Sequence, residues 1–269
     1  MKKAVIVALL VATTNSPAGA QVHMVLVEKP SVKVGETVTI TYVLGKPFVG
    51  QRDDAEKPVQ ATAYGPLASS SIDLLPSLEK VKIPAGEKKF VTGYRCSFAP
   101  KERGDYTLIF ESAPLWMKDQ QRFFQDAIRV NLHVQAETGW AGRTQDGIPF
   151  AFLPLTRPYG LRAQTAFQAK LDNAKPERWH YVNLEKYNAE PPKELPDVEF
   201  ITMRVRSDDH GVVTCTLPET GWWVLSAQQS DLPMTLPPKL KKGDKEYPLT
   251  RRAILLVFVE GGPRKKGDK

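Results

Sequence analysis

The sequence is short of the side chains that most enzyme chemistry uses. Its 269 residues include two cysteines and four widely separated histidines, His23, His133, His180 and His210. No Gly-x-Ser-x-Gly elbow occurs, so nothing sets a serine nucleophile beside a base. Cys96 stands in Tyr94-Arg95-Cys96-Ser97-Phe98 and Cys215 in Val213-Thr214-Cys215-Thr216-Leu217. Both alternations turn the sulfur inward, in two different cores, which predicts two separate buried thiols behaving as small apolar groups. No cluster of His and Cys spells a preformed zinc site. Asp and Glu are scattered, and no pair stands out as a glycosidase dyad. Together these absences argue against an enzyme.

Long apolar runs are also missing, with one exception at the start. Lys2 and Lys3 precede an unbroken apolar run over residues 4–12, Ser16-Pro17 breaks it, and Ala18-Gly19-Ala20 has the small-x-small form that signal peptidase cuts after. The run is too short to cross a bilayer, which takes about 20 residues. Residues 1–20 therefore read as a cleavable leader. The mature chain then starts at Gln21, works in the periplasm and has no transmembrane segment. Net charge is +7, with much of the surplus in Lys239-Leu240-Lys241-Lys242 and in the 263–269 tail, beside Gly and Pro. Such runs read as solvated loops and a flexible end, and without a nucleic-acid motif they predict no nucleic-acid partner.

What is present is β-pattern and turns. Val38, Ile40 and Tyr42 alternate with Thr37, Thr39 and Thr41, and the stretches 80–83, 89–98, 104–110 and 127–134 read the same way. Without helical periodicity between them, these short strands predict an antiparallel sandwich over 21–136, immunoglobulin-like in style. The polar, Gly-rich run 135–147 marks a boundary. A second strand set, at 148–155, 165–171, 181–187, 199–206, 212–217, 222–227 and 252–259, predicts another antiparallel sandwich over 137–262, with 263–269 a basic flexible tail. Asn188 to Pro196 is too rich in proline for an interior strand and reads as a surface loop. The fold class is all-β, in two sandwiches.

Several segments together carry a family resemblance: His23-Met24-Val25-Leu26, Val34-Gly35-Glu36-Thr37-Val38-Thr39, Gly45-Lys46-Pro47-Phe48, Pro100 to Tyr106, Pro154 to Leu161, and Leu217 to Trp223. Their order and spacing resemble exported bacterial proteins associated with nickel and cobalt transport (NikM- or NikK-like). The resemblance implies a prealbumin-like second sandwich with Gly221-Trp222-Trp223 near its core. It also implies metal handling beside a membrane metal transporter. The Gly-His-Pro-Phe segment common in that family is Gly45-Lys46-Pro47-Phe48 here, which removes an imidazole from the turn.

Cleavage after Ala20 would leave Gln21-Val22-His23 at a free amino terminus. The amine, the Val22 and His23 amides and one imidazole nitrogen can form a square, a geometry that suits Cu(II) and Ni(II). The leading expectation is thus a periplasmic metal-handling protein, nickel or cobalt first, that binds Ni(II), Co(II) or Cu(II) through Gln21, Val22 and His23. A second reading is a non-catalytic binding module for an envelope protein or glycan, with Trp116, Phe123 and Phe124 as exposed aromatics. A purely structural envelope protein is the third. Intact mass of the exported protein checks the leader, with a chain starting at Gln21 expected and any other start counting against it.

Overall fold

The computed structural model describes residues 21–67, 71–86, 88–135, 150–172, 178–229 and 238–261. The expected leader, the expected boundary stretch from residue 136 and the expected basic tail lie outside them.

Alternation builds the strands as expected. In Val38–Lys46 the side chains of Val38, Ile40 and Tyr42 are buried and those of Thr39 and Thr41 half-buried. In Val212–Leu217 the buried set is Val213, Cys215 and Leu217. The fold is all-β, and the described residues form three sheets. One five-stranded sheet contains Val22–Val27, Val38–Lys46, Phe90–Phe98 and Glu79–Pro84 in that order, with Gln51–Asp53 on its side. A three-stranded sheet is ordered Ala151–Pro154, Thr165–Asp172, Val212–Leu217.

Between them runs a twelve-stranded sheet to which both halves of the chain contribute. Its main path is Met203–Arg206, Tyr181–Lys186, Gly221–Gln228, Lys245–Glu260, Arg122–Val134, Gly104–Glu111, Gln60–Tyr64, Ser71–Asp73. The shared strand Lys245–Glu260 lies at the seam. Its Ile254 and Leu256 belong to the core under the five-stranded sheet, whereas Ala253, Leu255, Val257 and Val259 belong to the core under the three-stranded one. Successive side chains of a strand point to opposite faces, so the two small sheets cover opposite faces of the large sheet, offset along it. A strand buried on both faces reads as a continuous apolar run, which is what Ala253 to Val259 is.

The seam departs from the antiparallel expectation. Arg122–Val134 and Lys245–Glu260 pair in parallel, from Phe123 opposite Leu249 to Val130 opposite Leu256. No hairpin joins these strands, so no turn dictates their direction, and the long intervening chain supplies the crossover that parallel pairing requires. Both cysteines are free and buried, Cys96 in one core and Cys215 in the other. Burial pushes the Cys215 thiol up to about 11 and raises that of Cys96.

Two loop contacts clasp the halves outside the seam. In the first, Asn188 donates its amide N–H to the carbonyl of Pro47 at 3.0 Å and its side-chain Nδ2 to that of Phe48 at 2.6 Å. Arg52 there donates to Tyr187 Oη at 2.7 Å and to the Ala189 carbonyl at 2.9 Å. In the second, the Tyr159 ring stacks on His133 with centroids 3.9 Å apart, and its hydroxyl donates to Asp105 at 3.1 Å. The Gly45-Lys46-Pro47-Phe48 turn and the 154–161 segment, both part of the family resemblance, are therefore docking surfaces between halves.

Gly50 makes the first clasp testable. Its φ is +66°, and a Cβ there would stand 2.8 Å from the backbone of Glu190 and Pro191. Gly35 has φ +76° with nothing within 4 Å of a built Cβ. Gly35→Ala is expected to cost only the left-handed backbone strain, about 1–2 kcal/mol. Gly50→Ala should melt several degrees below it by calorimetry, and equal melting of the two would refute the clasp.

Candidate binding site

The offset of the small sheets leaves part of each large-sheet face uncovered. In Tyr181–Lys186, Val182 and Leu184 enter the second core, so Tyr181, Asn183 and Glu185 point to the opposite face. Arg204 and Arg206 of Met203–Arg206 point the same way, since Met203 and Val205 pack against that core. The five-stranded sheet stops short of this region. A notch of about 420 Å³ opens between the uncovered strands and the start of Val22–Val27.

Arginines and aromatics form its rim. Trp179 is 56% exposed and Tyr181 59%. The Arg206 guanidinium lies 5.3 Å from the Trp179 ring and 5.5 Å from the Tyr181 ring, and that of Arg204 lies 5.8 Å from Tyr181, all within cation–π range. Their Nε atoms are spent locally: Arg206 donates to the Trp179 carbonyl at 3.0 Å and Arg204 to Asn183 Oδ1 at 2.9 Å. Trp179 holds a left-handed backbone with φ +54°. For a bulky side chain this costs on the order of 1–3 kcal/mol and is a feature of functional positions. His180 is turned away from solvent, its Nε2 donating to the Gln228 carbonyl at 2.5 Å and its ring edge-on to Phe150. Among the described residues, none that lines the notch is acidic.

The inner wall is a buried ion network. Asp126 is fully buried and faces Arg252, its in-register neighbour in the parallel ladder. Arg252 donates Nε to Oδ1 at 2.5 Å and Nη2 to Oδ2 at 2.8 Å, while its Nη1 reaches the Gln21 carbonyl at 2.8 Å. The guanidinium also lies 4.7 Å over the Phe124 ring. His23 adds its backbone N–H at 2.9 Å and its ring Nδ1 at 2.8 Å, both to Asp126 Oδ2. Burial alone would raise the Asp126 pKa. The Arg252 charge and the His23 hydrogen bond outweigh it, and the carboxyl is held well below the usual carboxylate range.

This arrangement differs from the projecting terminus expected for residues 21–23. The first strand begins at Val22, and Val22 and His23 are 1% and 2% exposed. An ionised carboxylate only accepts, so the His23 Nδ1 carries the proton that it gives to Asp126. A square of nitrogens there would require both the His23 amide and its Nδ1 to leave Asp126. The Trp116, Phe123 and Phe124 group also differs from expectation. Phe124 is buried, and Trp116 packs on Phe123 and Tyr247 with ring centroids 5.0 and 4.5 Å away. Asp208, Asp209 and His210 gather in an exposed turn. Asp208 Oδ1 there accepts the amides of His210 and Val212, so the turn accounts for it.

The rim of the notch was not anticipated. Its trace in the sequence is Arg178-Trp179-His180-Tyr181 followed by the alternating Arg204 and Arg206. Only the sheet offset shows that both face the same uncovered surface.

A family model described as a domain of unknown function (DUF4198) matches residues 18–231. That description names no metal, transporter or reaction. No curated protein matches the chain. Among solved structures, trypsin-activated alpha-2-macroglobulin from Escherichia coli aligns over 91% of this chain at 14% identity and a TM-score of 0.25. The aligned part is 16% of that protein.

Replacing Asp126 tests the wall. Asp126→Asn leaves Arg252 buried without its counter-ion, which costs about 3–5 kcal/mol for such pairs. Because the folded pKa is depressed, the stabilisation is full above about pH 4 and is lost as pH falls through the folded value. Denaturant titrations should therefore show a gap between parent and variant that is large at pH 7 and shrinks toward pH 2. A gap independent of pH would show that Asp126 is not ionised in the fold.

Proposed function

The chain belongs to the DUF4198 family, and we propose that it is an exported, non-catalytic β-sandwich binding module that takes an anionic ligand into the notch. The observation that carries this reading is the pairing of exposed aromatic rings with guanidinium groups in a concavity that, among the described residues, no acidic side chain lines. Among the described residues, Arg178 and Arg204 have no carboxylate partner. Export is supported by the basic start, apolar run and Ala18-Gly19-Ala20 of the first twenty residues. The competing reading, metal handling at Gln21, Val22 and His23, has the resemblance in its favour and the Asp126 contacts of His23 against it.

The test uses heparin as a generic polyanion and the mature chain. Arg178→Ser with Arg204→Ser should weaken binding about tenfold or more, the scale of a lost charge-assisted hydrogen bond. A control, Lys239→Ser with Lys241→Ser, removes the same charge from an exposed strand. Equal losses in the two variants would reduce the effect to overall charge and overturn the notch. A square-planar absorption band on adding Ni(II) or Cu(II), abolished by His23→Ala, would favour metal handling instead.

A further inference from the structure

We propose that the ligand of the notch is an acidic saccharide, with a sugar ring against the Trp179 and Tyr181 platform and its carboxylate on Arg178 and Arg204. This rests on the anion-binding reading above and goes on to name the ligand class.

The first argument is the aromatic platform. Trp and Tyr rings are normally buried for their area, yet Trp179 and Tyr181 expose more than half of theirs. They are not loose: Arg206 packs against both rings, and the Trp179 carbonyl anchors the Arg206 Nε. A bare inorganic anion has no use for such a surface, whereas the C–H face of a pyranose does. The second argument is the polar lining. Asn183, Gln228, Gln229 and Gln120 are primary amides, each offering both donors and an acceptor. Sugar hydroxyls need both. A phosphate or sulfate needs donors only, and a site built for one would be lined by N–H groups alone. The third is the cation type. Arginine presents a planar fork that meets a carboxylate with two parallel hydrogen bonds. The fourth is size. About 420 Å³ lies within the range of small-molecule sites and far exceeds the needs of a single ion. Because the notch opens to solvent, the rest of a longer chain can run out over the rim.

Calorimetric titration of the mature protein with trigalacturonate and with trimannuronate tests this, beside the methyl ester of trigalacturonate and tripolyphosphate as controls. At least one uronate trimer is expected to bind, about tenfold or more weakly after Arg204→Gln and also after Trp179→Ala. Esterification should weaken trigalacturonate comparably, and unchanged melting should show that both variants fold. If tripolyphosphate binds through Arg204 while Trp179→Ala changes nothing and neither trimer binds, the saccharide is overturned and the anion-binding reading stands. If neither trimers nor tripolyphosphate bind in an Arg204-dependent way, both fall. Trimer binding indifferent to both substitutions would place the saccharide elsewhere and overturn this site.

Discussion

An ionised carboxylate sealed between β-sheets needs a cation held against it, and for Asp126 that cation is the next residue across the ladder. Arg252 sits opposite it in the parallel register and grips both oxygens. A slip of one residue would send each side chain to the other face and leave two opposite charges buried apart. The pair therefore fixes how the end of the chain docks beside the first half. His23 extends the same tie to the five-stranded sheet through its backbone and its ring. One carboxylate thus joins the first strand, the 122–134 strand and the last strand at a single point.

With that register set, the double burial of Lys245–Glu260 follows. Its alternate residues serve two cores on two faces, so the small sheets must lie on opposite sides of the large one. Two covers on opposite faces, each over its own half, leave each half bare on the other side. On the face of the second half the bare surface is the notch. On the first half, Tyr159 closes part of the equivalent surface by stacking on His133. Burial there, and then the charge of Asp105, pushes the Tyr159 hydroxyl up to about 12, so it remains a donor at ordinary pH. The arrangement that unites the halves therefore leaves bare the strands that floor the concavity, and the turn carrying Arg178 and Trp179 supplies part of its rim.

The strands and the all-β class were legible because alternation is a local signal with period two. The inward thiols were legible for the same reason. The parallel seam was not: residues over a hundred positions apart pair there, and nothing in either segment states a direction. A sign of it was present in the unbroken apolar run Ala253 to Val259, which a half-exposed strand does not show. Asp126 was a second sign, a charge on the inward face of an alternating strand. Reading Phe124 as exposed failed because it shares a strand and the inward parity of Ile128 and Val130. His23 was singled out for its place in the chain. Its carboxylate partner lies 103 residues away and was beyond local reasoning.

Arg252 belongs to two environments, and that division decides what the notch can attract. It lines the concavity, yet its charge is cancelled at hydrogen-bond distance by a carboxylate that is fully buried. Screening by solvent is weak inside the wall and strong outside it, so Arg252 and Asp126 present little net field to a ligand. For the proposed anion, the attraction would come from Arg178 and Arg204 on the rim. These are the groups whose removal leaves the core intact, because Arg204 is exposed and its contacts are to the Asn183 side-chain amide and the exposed Tyr181 ring. Under the proposed reading, binding and folding thus fall to different arginines, and the rim could vary in sequence without disturbing the register that the buried pair maintains.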